Sequence, residues 1–123
     1  MSRLHIGMDA GSTTVKVVVS DDAGKMYFAE YMRHFSDIKN TVINLFGRVK
    51  EAIGEEKFTV VITGSGGLLL SKMLKLPFVQ EVIANKTAIK KYLPDTDVVI
   101  ELGGEDAKIL YLTGGLEQRM NGT

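Results

Sequence analysis

Ile6-Gly7-Met8-Asp9-Ala10-Gly11-Ser12-Thr13-Thr14-Val15-Lys16-Val17-Val18-Val19 and Val98-Val99-Ile100-Glu101-Leu102-Gly103-Gly104-Glu105-Asp106-Ala107-Lys108-Ile109-Leu110-Tyr111 are one pattern written twice. They align without a gap, so that Asp9 falls on Glu101 and Lys16 on Lys108. Each copy reads as an apolar strand, a carboxylate near its end, a Gly-containing turn and a second apolar strand with a Lys near its start. One recurrence at this distance predicts two related subdomains rather than a short-period solenoid. Backbone N–H groups of such turns can cradle phosphate oxygens, and a carboxylate from each copy can hold a hydrated Mg²⁺. The expectation is a phosphate clamp built from two facing hairpins.

Working outward, Leu4 to Asp9, Thr14 to Ser20 and Lys25 to Arg33 read as an antiparallel meander, with a turn signal at Asp21-Asp22-Ala23-Gly24. Ser36 or Asp37 can cap a helix. Ile38, Val42, Leu45, Phe46, Val49 and Ile53 then follow at helical spacing, and Gly54 closes it. Phe58 to Thr63 predicts a strand, Leu68 to Leu76 a helix stopped by Pro77, Phe78 to Val82 a short strand, and Ala84 to Leu93 a helix stopped by Pro94. Asp97 to Leu102, Asp106 to Leu112 and Leu116 to Met120 repeat the opening meander. The order β-β-β-α-β-α-β-α is that of a ribonuclease-H-like mixed sheet. Residues 1–94 form one such subdomain, and 95–123 begin a second and break off.

The candidate groups divide between the two turns. In the first, Gly11 permits positive φ and close approach of a ligand, and Ser12, Thr13 and Thr14 offer hydroxyls and N–H groups to phosphate oxygens. Lys16 supplies a point charge that is costly inside a Val-rich strand without a partner. In the second, Gly103, Gly104, Glu105, Asp106 and Lys108 take the same roles. Asp9 and Glu101 are the catalytic candidates and would hold Mg²⁺ through water. The plain alternative, two tight turns with surface carboxylates, has no reason to keep both carboxylate and Lys in register. Gly64, Ser65, Gly66 and Gly67 follow a strand and open a helix, which suggests a loop lining the cleft. They match neither Gly-x-Gly-x-x-Gly nor the P-loop, since Leu69 stands where the former needs Gly. A simple helix-start turn is an equal reading. Glu81 can reach the same cleft, although a solvated Glu at a strand end is the favoured reading.

Composition sets the outer limits. The chain of 123 residues is 45% apolar, enough for a sizeable core. Lys+Arg and Asp+Glu are equal at 15 each, which gives no electrostatic case for nucleic acid or an anionic membrane. There is no Cys, so disulfides, zinc sites and thiol catalysis are excluded within these residues. His5 and His34 are too few and too separated for a metal site, and each reads as structural or surface. No membrane span or signal peptide is visible, which makes the cytoplasm the default location.

Gly7-Met8-Asp9-Ala10-Gly11-Ser12-Thr13-Thr14-Val15-Lys16, Ile62-Thr63-Gly64-Ser65-Gly66, Gln80-Glu81-Val82-Ile83-Ala84 and Glu101-Leu102-Gly103-Gly104-Glu105-Asp106-Ala107-Lys108-Ile109 together resemble the BadF/BadG/BcrA/BcrD-type ATPases. These are the activators of 2-hydroxyacyl-CoA dehydratases and benzoyl-CoA reductases, within the actin, Hsp70 and sugar-kinase superfamily. The resemblance covers the whole chain and, through Glu117-Gln118-Arg119-Met120-Asn121-Gly122-Thr123, is strongest to the large activase-like members. It implies ATP and Mg²⁺ as ligands, a dehydratase or reductase as partner, and ATP hydrolysis coupled to low-potential electron transfer. It also implies a [4Fe–4S] cluster whose Cys ligand would follow Thr123, so the cluster belongs only to a longer protein.

Two other readings stand beside it: a sugar kinase of the N-acetylglucosamine-kinase type, and a non-catalytic actin-like assembly module. The kinase needs an Asp to deprotonate a sugar hydroxyl, and none closely follows Gly64-Ser65-Gly66-Gly67. As an isolated N-terminal piece, the chain is expected to be inactive. Val99, Ile109 and Tyr111 would then be left uncovered, so that residues 97–120 pair with a second copy or stay loosely ordered.

Overall fold

The computed structural model describes residues 3–54, 57–102, 107–112 and 118–122, with the backbone alone for 107–108 and 118–122. The chain forms two compact units, Met1–Val79 and Gln80–Thr123.

In the first unit β1 (Leu4–Ala10), β2 (Thr14–Asp21) and β3 (Met26–Arg33) form the antiparallel meander. Helix α1 (Ile38–Ile53) then carries the chain to β4 (Phe58–Thr63), which pairs parallel with β1 and sets the sheet order β3-β2-β1-β4. A parallel neighbour needs a crossover of about this length. Period-two alternation puts Leu4, Ile6, Met8 and Ala10 of β1 and Val15, Val17 and Val19 of β2 on one buried face. Val42, Leu45 and Val49 of α1 complete that core. His5, Gly7, Asp9, Lys16 and Val18 take the other face, which is partly open. Asp37, not Ser36, caps α1: its carboxylate accepts the Asn40 N–H at 3.3 Å. Gly54, at φ 70°, ends the helix.

Helix α2 (Gly67–Leu74) is shorter than expected. It stops at Lys75, which takes the left-handed conformation (φ 56°), before Pro77 has any effect. The predicted strand over 78–82 reduces to one parallel bridge, Ile62 to Phe78. Ile62 N–H donates to Pro77 O and Val79 N–H to Ile62 O, both at 2.9 Å. Pairing ends there because α3 (Glu81–Tyr92) has already begun, three residues earlier than expected. Glu81 therefore lies in the first helical turn rather than in a strand, where a negative charge suits the helix dipole.

The second unit contains α3 and a meander of β5 (Val98–Leu102), β6 (Ala107–Tyr111) and β7 (Gln118–Gly122), in the order β5-β6-β7. The third strand lies two residues later than the pattern predicts. The subdomain boundary expected after Pro94 falls inside this unit. The exposure of β5 has the opposite parity to that anticipated: Val98, Ile100 and Leu102 are exposed, whereas Val99, Ile109 and Tyr111 are half-buried.

Candidate functional site

The two copies of the pattern pair in the same register. Asp9 lies opposite Lys16 across β1 and β2, and Glu101 lies opposite Lys108 across β5 and β6. Flanking pairs correspond as well: Ile6 with Val19 and Met8 with Val17 match Val98 with Tyr111 and Ile100 with Ile109. Directly opposed residues share a sheet face, and in the first hairpin this sets the carboxylate and the Lys side by side.

In the first hairpin Lys16 Nζ is 3.8 Å from Asp9 Oδ2, and both side chains are substantially exposed. Lys16 points to the open face, so the desolvation cost expected of it does not arise. An exposed pair at this distance adds about 1 kcal/mol at most to stability. Its placement is better explained by what it can bind than by what it holds together.

The carbonyls of Ala10, Gly11, Thr13 and Thr14 around the turn between the strands each accept a hydrogen bond. Gly11 N–H donates to Thr14 O at 2.9 Å, His34 N–H donates to Thr13 O at 3.0 Å, and the His34 ring bonds Gly11 O at 2.9 Å. Gly66 N–H donates to Ala10 O at 2.7 Å. Among the described residues neither Ser12 N–H nor Thr13 N–H donates to a protein acceptor. Occupied carbonyls and available amides are what an anion requires of a turn. Gly11 is not in the left-handed region, and an added Cβ would meet only Thr14 O at an ordinary 3.6 Å. The expected positive φ is thus absent, and neither conformation nor packing calls for Gly at position 11. Close approach by a ligand remains as a reason.

The glycines of the β4–α2 loop have a steric explanation. Gly64 has φ 103°, and a Cβ there would lie 2.4 Å from Ala10 O and 2.5 Å from Asp9 Oδ1. At Gly67 a Cβ would lie 2.9 Å from Ile62 Cγ2. The loop packs against the end of β1 and backs the Asp9 carboxylate. Ser65 is exposed on it. Thr63, in register with Asp9 across β1 and β4, buries its Oγ1 without a hydrogen-bond partner among the described residues.

In the second hairpin Glu101 is partly buried, and its Oε2 accepts a 2.8 Å hydrogen bond from Asn85 Nδ2 of α3. Gly103, Gly104, Glu105 and Asp106 lie outside the described residues, as does the side chain of Lys108. Among the described residues no group of three metal-ligating side chains occurs. The Asp9 carboxylate is partly exposed; a hydrated Mg²⁺ on a phosphate chain is commonly bound through one or two carboxylates.

Two residues brace the candidates: Asn85, which sequence reasoning passed over, and His34, which it gave only as structural or surface. A lone polar residue inside a helix and a His just after a strand carry no local signal of what they reach. His5 is structural in the same sense. Its Nδ1 bonds Thr59 Oγ1 at 2.8 Å and its Nε2 bonds Asp22 at 2.6 Å, at the end of β1 away from Asp9. That bond to His5, with the Arg3 N–H, holds the Asp22 carboxyl below its ordinary pKa.

No protein-family model matches the chain. An uncharacterized protein of Methanocaldococcus jannaschii is 33% identical over 110 residues, covering 85% of this chain and 42% of that protein. Among solved structures, the activator of the 2-hydroxyisocaproyl-CoA dehydratase from Clostridium difficile with bound ADPNP matches with a TM-score of 0.70 at 25% identity. That match covers 99% of this chain and 46% of the activator. Component A of the Acidaminococcus fermentans (R)-2-hydroxyglutaryl-CoA dehydratase gives a TM-score of 0.79 at 18% identity, over 96% of this chain and 47% of its own. The fold is that of the actin-like ATPases. The ethanolamine utilization protein EutJ from Carboxydothermus hydrogenoformans shares it, with a TM-score of 0.69 at 18% identity over 97% of this chain and 51% of EutJ. The chain spans about half the length, or less, of each of these proteins. Among the described residues no helix is long and apolar enough to cross a membrane.

Proposed function

We propose that the chain is the N-terminal ATP-binding part of a BadF/BadG/BcrA/BcrD-type activase, which couples ATP hydrolysis to low-potential electron transfer onto a 2-hydroxyacyl-CoA dehydratase or benzoyl-CoA reductase type of enzyme. One observation carries the reading: a carboxylate and a Lys are opposed in the same register in both hairpins, beside a first turn whose amides are available. The ADPNP-bound activator among the structural neighbours supports a nucleotide as the anion.

In this reading the N–H groups of Ser12 and Thr13 donate to β- and γ-phosphate oxygens, and Lys16 offsets their charge. Asp9 orients a water of the metal's hydration shell, and Gly11 lets the backbone come within hydrogen-bond range. Mg²⁺, when bound, neutralises charge developing on the phosphate oxygens. Glu101, aligned by Asn85, takes the same role for the second hairpin. A [4Fe–4S] cluster does not fit these residues, since they contain no thiolate; its ligands belong to the remainder of the full-length protein.

The test is Mg²⁺-dependent ATP hydrolysis by the full-length protein carrying Asp9→Asn. A single electrostatic group at a transition state is worth about a hundredfold in rate or more. The expected result is a loss of that order with a thermal midpoint close to wild type. An unchanged rate would remove Asp9 from the mechanism.

A further inference from the structure

Two of the carbonyls that shape the first phosphate turn, those of Gly11 and Thr13, are held by one residue, His34. Its side chain is buried, with 6% exposure. One ring nitrogen, Nε2, faces Gly11 O at 2.9 Å, and the other, Nδ1, lies 3.0 Å from Ser36 N. A carbonyl oxygen only accepts and a backbone N–H only donates, so the ring form that satisfies both contacts is the one with its proton on Nε2 and an acceptor at Nδ1. The imidazole is thereby clamped at both ends, and the residue's own N–H holds Thr13 O. Its orientation depends on a tight turn in which Asp37 N–H donates to His34 O at 2.7 Å. The two central residues, Phe35 (φ 47°) and Ser36 (φ 65°), are both left-handed without being Gly. Each costs about 1 kcal/mol or more, and hairpin-type turns of this hand normally use Asn-Gly. This turn sets Ser36 N–H against Nδ1, a contact that suits the Nε2–H tautomer.

We propose that His34 is a positioning residue for phosphate binding: its fixed Nε2–H tautomer, set by the strained Phe35–Ser36 turn, holds the carbonyls of the Gly11–Thr14 turn inward so that the Ser12 and Thr13 amides face the ligand. The proposal rests on the nucleotide reading given above. His34 does not touch the phosphate. It acts by ordering the turn before binding, so its loss appears as affinity spent on ordering.

The experiment has a ligand-free arm and a binding arm. Long-range ¹H–¹⁵N spectra of the chain at neutral pH should show a neutral His34 with its proton on Nε2. A proton on Nδ1, or rapid averaging between tautomers, overturns the proposal whatever the protein binds. In the binding arm, Mg·ADPNP affinity of the full-length protein is compared for wild type, His34→Ala and His34→Gln. Gln can donate to Gly11 O from its amide and accept from Ser36 N–H. The Ala variant should lose about tenfold, in line with one or two lost hydrogen bonds. The Gln variant should stay within roughly threefold, and adenosine binding should be unchanged in both. Amide exchange at Ser12 and Thr13 should accelerate in the Ala variant without ligand. Equal ADPNP affinity for Ala and wild type refutes the positioning role. Failure of the wild type to bind ADPNP refutes the nucleotide reading instead and leaves the tautomer and exchange results standing. If the Ala variant does not fold, a Gln variant that folds but binds as poorly as a turn lacking the brace counts against the proposal.

Discussion

Gly64 and Gly11 illustrate how differently two glycines of one site are determined. The space that a side chain at 64 would occupy is filled by Ala10 O and Asp9 Oδ1, and its φ of 103° disfavours any L residue. Gly64→Ala should therefore cost roughly 2 to 4 kcal/mol, from backbone strain plus overpacking against main chain, seen as a lower urea midpoint at unchanged slope. Gly11→Ala meets no such obstacle inside the protein and should leave that midpoint almost unmoved. From sequence alone Gly11 reads as a phosphate glycine and Gly64 as part of a loop lining the cleft or a plain helix-start turn, although both follow an apolar strand and precede small polar residues. The distinction depends on where Ala10 and Asp9 lie in space, which no local pattern encodes. His34 reads from sequence only as structural or surface for the same reason, since its partners Gly11 and Thr13 belong to the preceding hairpin.

The β2–β3 connection is controlled by one carboxylate. Asp21 Oδ1 accepts from the N–H groups of Lys25 and Ala23, and Oδ2 accepts from Tyr27 Oη, each at 2.9 Å. The Lys25 N–H foremost, with Tyr27 and Ala23, lowers the Asp21 pKa below its ordinary value. A carboxyl depressed in the folded state stabilises that state above the unfolded pKa, and the contribution fades as the pH falls through the folded value. Stability should thus decline from about pH 4 downward. The gap in urea midpoint between wild type and Asp21→Asn should narrow between pH 7 and pH 3; a constant gap would show that the charge is irrelevant. Elements with such local chemistry were legible in the sequence: Asp-Asp-Ala-Gly announced this turn, and the apolar spacing of α1 predicted its buried face. The strand expected over 78–82 was not legible as a mere bridge. A short apolar run after Pro77 suits a strand or a helix start, and the acidic Glu81 at the helix N-terminus decides between them.

In the whole molecule the repeated pattern makes one unit a template for reading the other. Ile6, Met8 and Ala10, which the first unit covers almost completely with α1, correspond to Val98, Ile100 and Leu102, which the second unit leaves exposed. An apolar strand face of this kind favours self-association. Sedimentation of the chain should show concentration-dependent dimers or larger species. Replacing both Ile100 and Leu102 with Lys should shift them toward monomer without unfolding the first unit, and a strictly monomeric wild type would refute this role for the face. The sequence pattern foresaw an uncovered meander but assigned its exposure to Val99, because strand parity is fixed only once the side occupied by α3 and Asn85 is known.

The order of strands in the first sheet also sets a sequence of events in time. The meander β1-β2-β3 closes through short turns, whereas β1 meets β4 only after α1 has been laid down between them. Loop closure over the longer separation is the slower step. Loop closure alone therefore predicts that Asp9 and Lys16 come opposite each other before β4 covers the far edge of β1 and Gly64 reaches the back of Asp9. In that order the hairpin precedes the β4 strand that completes its support.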